Sequence, residues 1–77
     1  MNESSTSAKG FIMRVVNRAG LSKVEASRRM GRQHTFLTTY TARGRIPSLQ
    51  LAAEIAAVCG FEIHLIGHGE DILIEAE

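Results

Sequence analysis

Residues 21–42 read LSKVEASRRMGRQHTFLTTYTA, and the fold of the chain depends on how this stretch divides. Ser22-Lys23-Val24-Glu25 has the form of a capping box: the Ser hydroxyl takes an orphan backbone N–H, and a Glu three residues on reaches back. It opens a helix over about 23–30 that Gly31 stops. Only Gly31, Arg32 and Gln33 then connect it to a second helix over about 34–42. That second helix is weak by propensity, because Thr35, Thr38, Thr39 and Thr41 are β-branched and 36–40 also reads as a strand. The spacing of Phe36 or Leu37 to Tyr40, with Gly44 as a stop, decides for a helix.

Outward from this stretch, Phe11, Ile12, Val15, Val16 and Ala19 recur at three and four and predict a helix over 10–19, closed by Gly20. Residues 1–9 are mostly polar without periodicity and read as a disordered tail. Pro47-Ser48 opens a fourth helix over 49–59, with Leu49, Leu51, Ala52, Ile55, Ala56, Val58 and Cys59 expected buried or half-buried before Gly60. The period then changes to two. Strands are expected at 61–66 and 71–76 about a turn at Gly67–Glu70. The expected fold is mainly α, a four-helix domain over 10–60 with a C-terminal β-hairpin over 61–77.

A chain of 77 residues with 44% hydrophobic residues supports one domain with a small core. Such a core supplies roughly 3 to 5 kcal/mol, so a dimer sharing hydrophobic surface is expected. The lone Cys59 excludes an internal disulfide and suits a reducing cytoplasm. No basic start precedes an apolar stretch, and no run nears the roughly 18 apolar residues of a membrane span, so neither export nor insertion is expected. Cys59, His64, His68 and Asp71 lack the paired spacings of a zinc motif. No nucleophile elbow or phosphate loop occurs either, so neither a metal, a cofactor nor an enzyme is expected.

Charge is divided unevenly along the chain. Residues 1–45 hold all nine bases against Glu3 and Glu25, a net +7, whereas residues 46–77 hold six acids and no base, a net −6. The division suits a polyanion-binding face at one end. Solvated helices that merely happen to be basic are the plainer alternative.

Two short helices about a Gly-containing turn, the second rich in small hydrogen-bonding side chains and flanked by arginines, read as a helix-turn-helix. The second helix of such a unit must be slender enough to approach base edges in a major groove. Residues 11–60 resemble the phage-repressor, or Cro/Xre-type, DNA-binding domain family. The resemblance rests on Leu21-Ser22, Glu25, Met30-Gly31, Leu37, the run Arg45-Ile46-Pro47-Ser48-Leu49, and Gly60. The chain departs from that pattern at Ala26-Ser27, where a Leu-Ala pair is usual, and at Gly31-Arg32-Gln33, where Gly-Val-Ser is usual. The usual Glu-x-Gly after the recognition helix is replaced by Thr41, with the glycine one place late at Gly44.

The resemblance implies that Gln33, His34, Thr35, Thr38 and Thr39 face the groove. Gln33 would pair with adenine, His34 would donate to guanine, and a Thr methyl or Phe36 would meet a thymine methyl. Gln33 as a mere helix cap and Phe36 as core are the alternatives, and both stay open. Leu37 and Tyr40 are assigned to the core. Lys23, Arg28, Arg32, Arg43 and Arg45 bracket the second helix and are placed for phosphates. The apolar strand residues Ile63, Leu65, Ile72 and Ile74 are expected to join two chains, as the resemblance also implies; a hairpin that only caps its own helices is the alternative. The expected function is a homodimeric, sequence-specific DNA-binding repressor on a near-palindromic operator of double-stranded DNA. The other reading is an antitoxin that holds a partner toxin through the acidic hairpin.

Overall fold

Among the described residues, four helices and one hairpin follow in the order α1 (Phe11–Arg18), α2 (Lys23–Arg29), α3 (Phe36–Ala42), α4 (Leu49–Val58), β1 (Ile63–Gly67) and β2 (Glu70–Ile74). This computed structural model describes residues 5–77; residues 1–4, the first part of the expected tail, lie outside the described residues. The architecture is the expected mainly α helix-turn-helix domain with a C-terminal hairpin. Residues 5–9 form no helix or strand but are tied to the start of α1: Ser7 Oγ accepts the Gly10 N–H at 2.9 Å, and Arg14 donates to the Ser5 carbonyl at 3.0 Å.

All four helices end alike. A left-handed glycine follows each C-cap, with φ between +65° and +77°, and the next N–H turns back onto the last helical turn. These bonds run from Leu21 to Val16 (3.2 Å), Arg32 to Ser27 (3.0 Å), Arg45 to Tyr40 (3.4 Å) and Phe61 to Ala56 (2.8 Å). The capping residues Ala19, Met30 and Cys59 therefore stand just outside helices expected to include them.

The larger departures lie at the start of α3 and in the capping box. Six residues, Met30 to Thr35, separate α2 from α3, because Gln33–Thr35 form a turn in which the Gln33 carbonyl accepts the Phe36 N–H at 2.9 Å. Only half of the capping box forms. Ser22 Oγ accepts the Glu25 N–H at 3.0 Å, but the Glu25 carboxylate goes forward to Arg29 at 3.2 Å.

The core draws on every helix: Ile12 and Val16 from α1, Ala26 from α2, Leu37 from α3, and Leu51 and Ile55 from α4. Ser48 caps α4 by accepting the Leu51 N–H at 3.1 Å, as Pro47-Ser48 predicts. Leu49 is a correction, at 59% exposed. It opens α4, one turn before the buried Ala53, and lies at the rim of a cavity that it shares with Phe11, Pro47 and Ile63.

In the hairpin, β1 and β2 pair antiparallel with Ile63 opposite Ile74, Leu65 opposite Ile72 and Gly67 opposite Glu70. His68 and Gly69 both have positive φ, 48° and 78°, as a two-residue type I′ turn requires. The strands thus run closer to the tip than the expected 61–66 and 71–76. At their open end Phe61 is taken up in closing α4, and Glu77 returns to α4, where the Gln50 side-chain amide accepts its N–H at 3.2 Å and donates to its carbonyl at 3.4 Å.

Candidate nucleic-acid interface

What holds α3 in place begins with a residue on α2. Ser27 is fully buried; its hydroxyl donates to the Lys23 carbonyl at 2.7 Å and accepts the Leu37 N–H at 3.0 Å. Leu37 N–H is one of the donors that the first turn of a helix leaves without an internal partner, and Thr35 makes no side-chain cap bond. A hydroxyl from the preceding helix therefore supplies the cap. The bond, together with Leu37 buried beside Ala26, fixes how α3 rests on α2. The Ser27 hydroxyl, which an alanine at this position would lack, is what makes it possible.

The outer side of α3 follows from that fixed inner side. Thr35, Thr38, Thr39 and Ala42 are spaced three and four apart, are all exposed, and form one strip turned away from Leu37. Gln33 and His34 are exposed in the turn just before it. All five residues expected at base edges thus lie outward on α3 or at its N-terminal approach. Gln33 contributes its carbonyl, not its side chain, to the start of α3, which leaves its amide in solvent. Phe36 and Tyr40 flank the strip. Both are half-buried against the core, with ring centroids 5.7 Å apart, so Phe36 takes the core side and Tyr40 sits at the core margin.

The expected phosphate ligands divide into two kinds. Lys23, half-buried at the start of α2, and the exposed Arg28 and Arg43 have no ion-pair partner among the described residues. Arg43 and Arg45 share a shallow cavity of about 240 Å³ with Gln33 and Thr39. Arg45 also lies 6.0 Å from the Tyr40 ring, whose hydroxyl donates to the Ile46 carbonyl at 3.3 Å. Arg32 is different. Its guanidinium stacks on Phe36 at 4.5 Å and pairs with Glu54 of α4 at 3.0 Å. Hydrogen bonds from Gln50 first and Arg32 second hold the Glu54 carboxyl below its ordinary range. Arg32 thus braces the turn against α4. No local pattern announces that pairing, since its partners lie 22 residues apart.

Of the residues expected to join two chains, Ile63 and Ile74 are half-buried at the open end of the hairpin, while Leu65 and Ile72 are 59% and 46% exposed on the same face. Ile66 and Leu73, which are not among those expected residues, are exposed on the other face. On that face His64 lies between Glu62 at 3.0 Å and Asp71 at 2.5 Å, and these carboxylates, Glu62 foremost, push its pKa up. Cys59 is buried in the helical core, and that burial pushes its thiol up. No helix among the described residues is long and apolar enough to cross a membrane. Comparison with known proteins returns no match, whether to a family model, to a curated protein or to a solved structure.

Proposed function

We propose that this chain is a sequence-specific DNA-binding regulator of the Cro/Xre type, a homodimeric repressor that lays α3 in the major groove. One observation carries the reading: Gln33, His34, Thr35, Thr38 and Thr39 are exposed together along one outward strip and its N-terminal approach, on a helix whose inner side is pinned by Leu37 and Ser27. The placement of every base in residues 1–45 supports it, because phosphate contacts need positive charge near the reading helix. In this reading Gln33 and His34 meet the first base edges, the threonines follow the groove floor, and Lys23, Arg28, Arg43 and Arg45 hold the flanking phosphates. No catalytic step is assigned. An antitoxin reading draws on the exposed apolar residues of the acidic hairpin; copurification with a neighbouring gene product would favour it.

Selection from random DNA followed by footprinting at 50 to 200 mM salt tests the proposal. A near-palindromic site with half-sites about 34 Å apart is expected. Affinity should fall roughly a thousandfold or more over that range if a dimer contacts about six to ten phosphates. A flat salt titration, or a selection that returns no motif, overturns the reading.

A further inference from the structure

Among the described residues the hairpin is a two-stranded sheet with both outer edges unpaired, and the chemistry of the two edges differs. On β2 the paired residues run Glu70, Asp71, Ile72, Leu73 and Ile74, with Glu75 next. On β1 they run Ile63, His64, Leu65, Ile66 and Gly67, with a single flanking carboxylate, Glu62, that is held by His64. An open edge presents unpaired N–H and C=O groups that template another strand. In a second β2 laid antiparallel on the first, a register centred on Leu73 sets Asp71 directly against Glu75, and one centred on Ile72 leaves Asp71 and Glu75 of the two copies on neighbouring diagonal positions with no base among them, so charge opposes pairing at this edge. β1 lacks that protection, and its Leu65 and Ile66 are 59% and 79% exposed.

We infer that two copies of this chain join through β1, giving a four-stranded sheet in the order β2-β1-β1-β2 with the two-fold axis at Leu65. This rests on the homodimer reading above and specifies which edge and which register it uses. Pairs in a hairpin alternate between bonded and non-bonded, and the pair flanking a two-residue turn is bonded. With Gly67 opposite Glu70, the backbone groups of Gly67, Leu65 and Ile63 face β2, and those of His64 and Ile66 face outward. Those outward groups can bond a second copy in only a few registers. With Leu65 beside its own copy, His64 lies opposite Ile66 and Glu62 opposite His68, so no like charges meet. A shift that centres the axis on His64 sets that residue, already held between Glu62 and Asp71, against itself. The Leu65 register also places Leu65 and Ile72 of both copies on one continuous apolar face with Ile63 and Ile74.

Cysteine cross-linking of the full chain tests the edge. Leu65→Cys and Ile72→Cys are a matched pair, exposed partners on one face of the hairpin, and the native Cys59 is buried and serves as the silent control. Leu65 and its copy would sit within disulfide reach, whereas the two Ile72 positions would lie about 14 Å apart, three strand spacings, against a limit near 7 Å. Under mild oxidation L65C should convert mostly to covalent dimer, and I72C and the wild type should not. Cross-linking of I72C as fast as L65C overturns the assignment. So does a wild type that is a dimer by mass while L65C stays uncross-linked; that result leaves the homodimer and moves the contact elsewhere. A wild type that is monomeric up to tens of micromolar overturns the dimer itself and leaves DNA reading to be judged by the footprint.

Discussion

The α2–α3 unit and the hairpin are both short, local pairings, yet they are stabilised in opposite ways. In α2–α3 the inner residues Ala26, Ser27 and Leu37 are fully buried, so the outer side chains carry none of the packing and can be polar. In the hairpin no residue is fully buried; Ile63 and Ile74 are covered in part, and Leu65, Ile66, Ile72 and Leu73 stand in solvent. A two-stranded sheet alone is marginal in water. α3 is therefore packed within one chain, whereas the hairpin leaves apolar side chains in solvent that a second copy would cover.

Truncation at the two places should separate them most sharply. Leu37→Ala removes a fully buried side chain, a change that costs about 2 to 5 kcal/mol. That is comparable with everything a core of this size supplies, so urea unfolding should find the variant mostly unfolded at 25 °C. Leu65→Ala should leave the unfolding midpoint of the dilute monomer within about 0.5 kcal/mol of the parent and weaken association instead. Equal losses of stability from both changes would abolish the contrast.

Ser27→Ala probes the same unit by a smaller step. The volume hardly changes, but the Leu37 N–H loses its acceptor in a buried setting, a loss of about 1 to 3 kcal/mol. Amide exchange at Leu37 should quicken by more than at Ala26, and the urea midpoint should fall. An unchanged midpoint would mean that water or Thr35 takes over the cap.

How much of this the sequence discloses depends on the range of the interaction. The helix ends are legible because each needs a glycine one place past the cap, and the hairpin because its alternation and the turn residues agree. The outward strip on α3 follows once Leu37 is placed inside. The start of α3 is not legible, since Gln33 and His34 suit a first helical turn as well as the turn they form. Ser27 reads as a departure from a familiar pattern; its hydrogen bond spans 10 residues to a backbone atom that no side-chain pattern reveals. Arg32 resembles its basic neighbours until α4 brings Glu54 against it, and Leu49 looks like core because periodicity does not say where packing stops.

That difference among the arginines can be measured through salt dependence. Arg43 has no ion-pair partner among the described residues and stands beside the outward strip of α3, so in the proposed role Arg43→Ala should reduce the slope of log affinity against log salt by about 0.9 for each phosphate it no longer neutralises. Arg32→Ala should leave the slope nearly unchanged and cost at most about 1 kcal/mol in stability, discounted because both side chains of the pair are partly exposed. Glu54→Gln in the parent would release Arg32, and a slope that then steepened would show the guanidinium free to take a phosphate. Equal slopes for the Arg32 and Arg43 variants would erase the distinction between a brace and a phosphate ligand.

The smallest effect belongs to the hairpin and is a matter of pH. Glu62 and Asp71 raise the pKa of His64 above the ordinary 6.5, so the folded hairpin binds this proton more tightly than the unfolded chain does. The contribution is therefore fully present below about pH 6.5 and is lost as pH rises through the raised folded value. Glu54 runs the other way: its lowered pKa contributes above the ordinary carboxyl value of 4.5 and is lost as pH falls through the lowered one. Hairpin chemical shifts followed by NMR from pH 5 to 8 should show His64 titrating above 6.5, with Glu62→Gln lowering its pKa more than Asp71→Asn. Because the imidazole is open to solvent, added salt should weaken both the shift and its effect on stability. If β1 is the dimer edge, the same ionisation sits beside the two-fold axis without placing His64 against its copy. Association should then depend less steeply on pH between 6 and 8 than in a register centred on His64, which sets the two imidazoles directly opposite each other and would make it weaken sharply as the pH falls.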